Sequence, residues 1–397
     1  MPSVRDFVIG PWRAVLVLAV TQILAWGAIF YTPVLILPLI AAERGWSVTF
    51  AMAGFSTGLL AAGLVARFVG SSIDRRGGHW VMMSGSLLGS AGLVGLVLVD
   101  RPAAYIAVWV ALGVALAASL YDAAFASLGR IFGLHARGPI TALTLAGGFA
   151  STVSWPTTHV LIAAVGWRGT YLVYAALLAC VAAPLHALAL PRGRTEPIGP
   201  VAAVSAVQPA FAPARSRAFS LVASGFAAYA FIPSGLSAHL LAIFGRGGID
   251  PATVVAIGAL FGPSQVAARA CELALGRNVH PLWIVRGAVS LLAGGFALLA
   301  CLGLSAPAAA AFAIIFGGAN GLITICRGTV PLALFGASGY GRLTGRIARP
   351  SLFMAAAAPL ACGFVAERGS DPMVLEVAAA FTVVALACFA AIRRPSL

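Results

Sequence analysis

Lysine is absent from this chain of 397 residues, and charged residues of every kind make up only 9% of it. A water-soluble domain carries about 25% charged residues, so this composition excludes a domain that is surrounded by water. Hydrophobic residues make up 61% of the chain, and its mean hydropathy is +0.99. The composition therefore predicts a protein embedded in a lipid bilayer, whose length is best counted in spans of about 20 residues.

Motifs that indicate an enzyme, a metal site or an ATP-driven pump are also missing. The sequence contains neither HExxH nor the phosphate-binding GxxxxGK[ST], and its six cysteines form no CxxC pair. Its arginines are scattered between apolar runs and form no stripe of the kind that binds nucleic acid. These absences predict a protein that is not an enzyme and that holds no cofactor, metal or nucleic acid. If the protein uses a source of energy, we expect a proton or counter-solute gradient instead of ATP.

Long apolar runs recur along the whole chain and predict twelve membrane-spanning helices. The predicted spans are residues 14–40, 48–70, 80–99, 103–132, 139–165, 168–190, 218–244, 251–276, 281–304, 306–335, 343–365 and 373–392. We therefore expect an all-α membrane protein with two six-helix bundles. Residues 1–190 would form the first bundle, 191–217 a polar cytoplasmic linker, and 218–397 the second bundle.

The arginines are unevenly distributed between the two sides of such a bundle. With twelve spans, both chain termini and the loops after even-numbered spans lie on one side, and the loops after odd-numbered spans lie on the other. Of the 25 basic residues, sixteen lie on the side of the termini, five lie on the opposite side, and four lie within spans. An excess of arginine marks the cytoplasmic side of a membrane protein. The pattern predicts a multi-pass protein of the cell (inner) membrane with both termini in the cytoplasm.

The two predicted bundles resemble each other. Arg67 in the second span corresponds to Arg269 in the eighth, and Pro33 in the first span corresponds to Pro233 in the seventh. Internal repeats of this kind place the binding site of secondary transporters near the membrane midplane, where the repeats meet. We therefore expect pseudo-symmetric bundles around a central cavity.

Charged residues inside the apolar runs are the candidates for a site in that cavity. A charge at the centre of a bilayer costs about 2.5–3.5 kcal/mol on insertion scales, so it usually faces an internal aqueous path. Asp122 and Arg327 occupy corresponding positions in the fourth and tenth spans, and we expect them to face one another. Two interpretations stay open: a pair that breaks when substrate binds Arg327 or when Asp122 takes up a proton, or a permanent structural pair. Other side chains that we expect to bind substrate are Tyr121, Asn320, Gln22, Tyr31 and Trp155.

The loop after the second predicted span contains the most specific motif, GSSIDRRGGH at residues 70–79. Its glycines permit close approach of helices and a tight turn. Asp74 is suited to the N-terminus of a neighbouring helix, where the helix dipole favours an anion. The segment resembles the GxxxDRxGxR signature of the major facilitator superfamily of membrane transporters, with His79 in place of the final arginine.

This resemblance implies the major facilitator fold, which agrees with the twelve spans, the central linker and the repeated halves. It also implies gating roles for Gly70, Asp74, Arg75 and Gly77 on the cytoplasmic face. Arg130 would correspond to the arginine of the fourth span that pairs with the motif aspartate. Transporters of this family often act as monomers, and we expect the same here.

Two further segments resemble carriers of small carboxylates. ERGWS at residues 43–47 resembles the external GWS segment of monocarboxylate and oxalate/formate carriers, and QVAAR at 265–269 resembles the D-x-x-x-R of the monocarboxylate transporter eighth span. In that family the arginine binds the substrate carboxylate, which implies this role for Arg269. Gln265 replaces the family's coupling aspartate, so that mechanism does not carry over. Glu272, one turn after Arg269, is either a substitute coupling acid or a structural partner of Arg269.

Together these features predict a secondary active transporter that moves a small organic anion, such as a monocarboxylate, by alternating access. The alternative is an efflux pump for a drug or a metalloid compound. The fifth predicted span lacks the GxxxGPxxGG motif of drug–proton antiporters, which disfavours a drug. A metalloid would depend on Cys271 and Cys326, which adjoin Glu272 and Arg327.

Overall fold

The computed structural model describes residues 10–191 and 216–393, and in these residues its regular structure is helical, without a strand. The helices are α1 (Arg13–Arg44), α2 (Val48–Arg76), α3 (Gly78–Leu98), α4 (Pro102–Ser119 and Tyr121–Phe132), α5 (Arg137–Gly147 and 150–165), α6 (167–189), α7 (Arg217–Arg246), α8 (Pro251–Ala259 and Phe261–Leu275), α9 (Pro281–Leu302), α10 (Ala306–Phe335), α11 (Tyr340–Arg368) and α12 (Asp371–Ala390). The predicted all-α fold is confirmed. Most of the predicted linker, residues 192–215, lies outside the described residues.

Ten stretches of the described helices are long and apolar enough to cross a membrane. One of them, Pro102–Ala189, is 88 residues long and contains α4, α5 and α6. Since one crossing takes about 20 residues, this stretch is long enough for three. The ten stretches are therefore consistent with the twelve predicted spans.

Capping residues and glycines set the loops between the helices. The Ser47 hydroxyl accepts a hydrogen bond from the Phe50 amide at the start of α2, and the Asp250 carboxylate accepts one from the Thr253 amide at the start of α8. Hydrogen bonds from the Thr253 hydroxyl and amide hold the pKa of Asp250 below its usual range. Gly77 alone joins α2 to α3, at a φ of 88°, which glycine adopts without steric strain.

Interruptions within the helices are not evident from the sequence pattern. Leu120 is extended and divides α4, and a turn at Gly148 and Phe149 divides α5. Residues Trp26–Tyr31 of α1 form a π-helical segment, a feature frequent at functional sites. The boundary between α5 and α6, in contrast, was predicted, and it falls at a left-handed Gly166 with a φ of 68°. The first three interruptions adjoin the polar layer described below.

Each half of the chain has its own apolar core. Helices α7–α12 share one large cluster of buried side chains. Helices α1–α6 hold two clusters, and the buried residues that the second half contributes to them are Leu332, Tyr340 and Ala356. The halves therefore form the two six-helix bundles expected from the sequence.

The bundles meet mainly on the side where α1 begins and α12 ends, which we call the terminal side; the opposite side is the far side. There α2 packs along α11, and a Cβ added to Gly345 of α11 would lie 2.9 Å from the Cα of Arg67. The Arg137–Gly147 segment of α5 packs against α8 and α10. The far-side segments, 150–165 of α5 and Pro251–Ala259 of α8, pack chiefly within their own bundles. The opening between the bundles therefore faces the far side.

Candidate functional site

Six helices bring polar and aromatic side chains together where the two bundles meet. Helices α1, α4 and α5 of the first bundle face α7, α8 and α10 of the second. The residues of this layer are Tyr31, Tyr121, Asp122, Trp155, Tyr229, Arg269, Asn320 and Arg327. We call it the central layer.

Arg269 lies at the middle of the central layer and is only 3% exposed. Its Nη1 donates to the carbonyl oxygen of Thr144 on α5 at 2.7 Å, its Nη2 to Oε1 of Gln265 at 3.3 Å, and its Nε to the carbonyl oxygen of Gly321 at 3.4 Å. All three acceptors are neutral. None of the ion pairs among the described residues involves Arg269. Its positive charge is therefore buried without a carboxylate to balance it.

Tyrosine hydroxyls complete the surroundings of this guanidinium. Tyr121 lies beside it, and Tyr31 and Tyr229 are near enough to interact with its charge. Gly148 provides the necessary space, because a Cβ at this position would collide with Nη1 of Arg269. The site thus offers hydroxyl groups and one fixed positive charge, a combination suited to binding an anion.

Asp122 of α4 and Arg327 of α10 form an ion pair that joins the two bundles. Nη2 of Arg327 lies 3.2 Å from both carboxylate oxygens of Asp122. The side chains of Arg327 and Asp122 are 31% and 27% exposed, so water reaches the pair. Next to it, the Tyr229 hydroxyl donates a 2.7 Å hydrogen bond to Oδ1 of Asn320. The two charges of this pair balance each other, in contrast to Arg269.

Aromatic side chains of the first bundle form a wall of ring contacts next to the central layer. The ring centroid of Trp26 is 5.0 Å from that of Tyr121 and 5.9 Å from that of Tyr31. Tyr31 in turn meets Trp155 edge to face at 6.1 Å. Trp155 is 49% exposed, so this wall of rings ends in a large aromatic surface that the protein leaves uncovered.

Gln22 lies behind this wall, and the structure does not bring it to the opening. Its side chain is fully buried. Nε2 donates to the carbonyl oxygen of Ser119 at 2.6 Å, and Oε1 accepts a hydrogen bond from Nε1 of Trp26 at 3.1 Å. Both ends of the amide are therefore occupied by the protein, and Gln22 orients Trp26 instead of facing the cavity.

Glu272 does not serve as a structural partner of Arg269. Its Oε1 accepts a hydrogen bond from Nη2 of Arg137 at 2.9 Å, and its Oε2 accepts one from the Thr141 hydroxyl at 2.9 Å. Arg137 also donates to two carbonyl oxygens after Glu272, at 2.5 and 2.7 Å. The interpretation of Glu272 as the acid that neutralises Arg269 is wrong, because Arg137 and Thr141 on α5 of the other bundle bind both of its carboxylate oxygens.

The motif aspartate lies at the terminal side. Oδ1 of Asp74 accepts a hydrogen bond from the Gly341 amide at 2.9 Å, and Oδ2 accepts one from the Arg342 amide at 2.8 Å, at the N-terminus of α11. Arg130 donates to the backbone carbonyl of Asp74 and not to its carboxylate. The carboxylate–arginine pair implied by the resemblance is therefore absent, because the two amides of α11 occupy the carboxylate oxygens.

The remaining motif residues, Gly70, Arg75 and Gly77, also lie at the terminal side. Gly70 lies against the backbone of Gly341, where a Cβ would collide with the carbonyl group, so it permits the close contact of α2 with α11. Gly77 forms the turn to α3. Arg75 is exposed at the surface. Of the predicted gating residues, Gly70 and Asp74 thus lie directly between the bundles.

Five residues of the site were not predicted: Arg137, Thr141, Thr144, Gly148 and Tyr229. Thr141 and Thr144 lie three residues apart on α5, a spacing that puts them on one face of a helix. Tyr229 is one of seven tyrosines in the chain and lies in an apolar run. A hydroxyl group within an apolar run could have marked it as a candidate site residue. Nothing in the sequence around Gly148 indicates that it faces a side chain of another bundle.

The cysteines give no support to a metalloid site. Cys326 is buried, with its Sγ 3.8 Å from the Pro281 carbonyl oxygen, whereas Cys271 is exposed. No group of three or more His, Cys, Asp or Glu side chains suited to a metal ion occurs in residues 10–191 and 216–393.

Comparison with known proteins identifies the fold and the family. The structure matches the crystal structure of the human organic anion transporter MFSD10 (TETRAN) with a TM-score of 0.73, over 98% of this chain and 100% of that one. The two sequences are 14% identical, so the likeness shows the fold alone. A comparison with curated proteins gives no match. The sequence profile of the Major Facilitator Superfamily matches residues 16–348, which is most of the chain. The chain therefore belongs to the Major Facilitator Superfamily and is a multi-pass membrane transport protein.

Proposed function

We propose that this protein is a secondary active transporter that moves a small organic anion, such as a monocarboxylate, by alternating access. It would act as a monomer in the cell (inner) membrane, with both termini and the terminal side in the cytoplasm, as the arginine distribution favours. The human protein with the similar structure is named as an organic anion transporter. The two sequences are only 14% identical, so the proposal depends on the site itself.

The observation that carries the proposal is the uncompensated charge of Arg269. A buried guanidinium without an acid is costly unless a counter-charge reaches it. Arg269 donates only to neutral acceptors and lies beside Tyr31 and Tyr121. A substrate carboxylate would meet the planar guanidinium with two parallel hydrogen bonds. Asn320 and Arg327 of α10 and Trp155 of α5 would complete the binding site.

Alternating access would proceed by rocking of the two bundles, residues 1–190 and 218–397, about this site. Two polar contacts, among several contacts that join the bundles there, would have to open for release on the terminal side. One joins Asp74 and Gly70 of α2 to α11, and the other joins Arg137 of α5 to Glu272 of α8. Arg130 would support the first contact through the Asp74 carbonyl.

Coupling to a proton or counter-solute gradient would use the acids at the bundle interface, Asp122 and Glu272. Each is bonded to an arginine of the opposite bundle, so loss of its charge would weaken a contact that must break during transport. We expect Glu272→Gln to retain exchange of labelled anion between equal pools. The same variant should fail to accumulate anion under an imposed pH gradient, a difference that reconstituted vesicles would reveal.

Proteoliposome uptake of labelled lactate, pyruvate, benzoate and oxalate tests the anion proposal. We expect Arg269→Ala to lower kcat/KM about 100-fold, the factor that corresponds to roughly 2.7 kcal/mol and lies within the range of charge-assisted hydrogen bonds. Arg269→Lys keeps the charge but loses the bidentate geometry, and should fall between the parent and Arg269→Ala.

Arg246→Ala is the matched control, because Arg246 forms an exposed ion pair with Asp371 on the far side. The pair joins α7 to α12 within one bundle and involves no residue of the central layer, so this variant should transport like the parent. Transport by Arg269→Ala at the parental rate would disprove the role of Arg269 as an anion site.

A further inference from the structure

We infer that the transported anion is an aromatic monocarboxylate, a flat ring with a single carboxylate group. This inference rests on the proposed function and narrows its substrate class. Two independent observations support it: the number of unbalanced charges in the central layer, and the chemistry of the side chains around them.

The charge count favours a ligand with one negative charge. Arg327 is balanced by Asp122, and Arg137 is balanced by Glu272 across the interface. Among the described residues of the layer, Arg269 is left as the one positive charge without an acid. A monoanion bound to Arg269 makes the layer neutral. A dianion bound to Arg269 would leave one negative charge unpaired. If its second charge bound Arg327 instead, Asp122 would lose its partner. Either outcome is unfavourable in a medium of low dielectric.

The surroundings of Arg269 favour a ring. Tyr31 and Tyr121 are near its guanidinium, and both belong to a continuous series of ring contacts that includes Trp26 and Trp155. Aromatic side chains pair best with other rings, edge to face or offset, at centroid distances of about 4.5–7 Å. An aliphatic acid of two or three carbons bound to Arg269 would leave these faces uncovered.

Trp155 indicates where the ring of the ligand would lie. Its indole touches Tyr31 edge to face and is otherwise 49% exposed. A carboxylate on Arg269, beside the Tyr31 and Tyr121 hydroxyls, directs the rest of the molecule along this wall toward Trp155. The ligand ring would then cover indole surface that the protein leaves exposed, and burial of apolar surface favours binding.

Binding in detergent tests this inference without requiring a driving gradient. The purified protein is titrated with benzoate, cyclohexanecarboxylate, acetate, oxalate and phthalate, and the rise of the unfolding midpoint reports the affinity of each. Cyclohexanecarboxylate matches benzoate in size and charge but has no aromatic face, and phthalate adds a second carboxylate to the ring. We expect benzoate to bind about 5-fold more tightly than cyclohexanecarboxylate and at least about 10-fold more tightly than acetate, oxalate or phthalate.

Variants assign these preferences to named residues. Trp155→Leu keeps an apolar side chain and should remove the preference for benzoate over cyclohexanecarboxylate while it leaves acetate binding unchanged. Trp80→Leu is the matched control: Trp80 is similarly exposed, at 53%, but lies on α3 outside the central layer. Arg269→Ala should abolish the response to every anion.

The outcomes separate the two proposals. If acetate or oxalate binds as tightly as benzoate and Arg269→Ala abolishes both, the aromatic class is wrong and the anion transporter stands. An unchanged preference in Trp155→Leu likewise overturns the aromatic class. If Arg269→Ala still binds the anions as the parent does, or if no anion shifts the midpoint, both proposals fall.

Discussion

The position of Arg269 depends on the absence of a side chain at residue 148. A Cβ there would collide with Nη1 of Arg269 and would come within 3.1 Å of the Leu145 carbonyl oxygen. The colliding atom is the end of a flexible side chain, so Arg269 would move and the backbone would stay. We expect Gly148→Ala to raise the KM for the anion about 10-fold, equivalent to roughly 1.4 kcal/mol, with little change in the unfolding midpoint.

Gly294→Ala is the control for that substitution. Gly294 lies in α9, and a Cβ at this position would have no neighbour within 4 Å. This change should leave both KM and the unfolding midpoint as they are, or stabilise the helix slightly, since alanine favours helix more than glycine does. An unchanged KM in Gly148→Ala would contradict the assigned role of Arg269.

Charge decided which site residues could be predicted from the sequence. Asp122, Arg269 and Arg327 stand out because a charge in an apolar run requires an explanation. Thr144 contributes only a backbone carbonyl oxygen to Arg269, and every residue has one. No property of its side chain could have identified it. The partner of Glu272 was misassigned for a related reason: proximity along one helix suggested Arg269, whereas the folded chain brings Arg137 from 135 residues away.

At the scale of helices, the N-terminus of α11 is held by one carboxylate of α2. Asp74 accepts hydrogen bonds from the Gly341 and Arg342 amides, and its charge also complements the dipole of α11. Asp74→Asn keeps the shape but loses the charge, a change of about 1–2 kcal/mol. We expect the population open on the terminal side to rise roughly 5- to 30-fold. Thr324 lies on α10 between Asn320 and Arg327. Labelling of a cysteine at this position by an impermeant maleimide added on the terminal side, in a variant without native cysteines, measures this population.

Asp250→Asn is the appropriate comparison for Asp74→Asn. Asp250 also caps a helix, but it does so on the far side and within one bundle, where Thr253 is its partner. Terminal-side labelling in Asp250→Asn should equal that of the parent. Equal labelling in Asp74→Asn and the parent would show that the α2–α11 contact does not control access.

The second contact between helices, α5 with α8, can be weakened in the same way. Glu272→Gln removes the charge that Arg137 and Thr141 bind, and hydrogen bonds to charged groups contribute about 1.5–3 kcal/mol. Arg137 keeps some access to water, so we expect the lower end of this range and a rise in terminal-side labelling of about 10-fold. Glu367→Gln, a change at an exposed residue near the far-side end of α11, should have no effect.

The sequence predicted the helices well but not their interruptions. Periodic apolar runs specify each span, and proline or glycine marks many ends, as at Pro102 and Gly77. The break at Leu120 involves leucine, which favours helix, so local preference alone gives no sign of it, and contacts with the other helices of the bundle must decide its position. The break at Leu260 has a local cause, because Pro263 has no amide hydrogen to donate to the Ala259 carbonyl oxygen.

For the whole molecule, the important asymmetry is that the bundles meet mainly on the terminal side, with the Asp122–Arg327 pair joining them at the midplane. The two terminal-side contacts use different helix pairs, α2 with α11 and α5 with α8, and share no residue. Substitutions at independent sites usually combine additively. Asp74→Asn and Glu272→Gln together should therefore multiply their effects on labelling. A combined effect equal to that of one substitution would mean that the contacts open as a unit.

The Asp122–Arg327 pair decides whether the bundles are joined permanently or reversibly at the midplane. Removing one partner, as in Asp122→Asn or Arg327→Gln, leaves a partly buried charge unpaired, so both single variants should be less stable and should transport poorly. The exchanged variant, D122R with R327D, restores the pair with opposite orientation. We expect its unfolding midpoint to return close to that of the parent, with a coupling of about 0.5–3 kcal/mol between the two sites. We expect its anion transport to stay low, because a carboxylate at residue 327 would replace a positive charge at the edge of the binding site and repel the substrate. Uptake restored to the parental rate would instead show that the pair only ties the two bundles together.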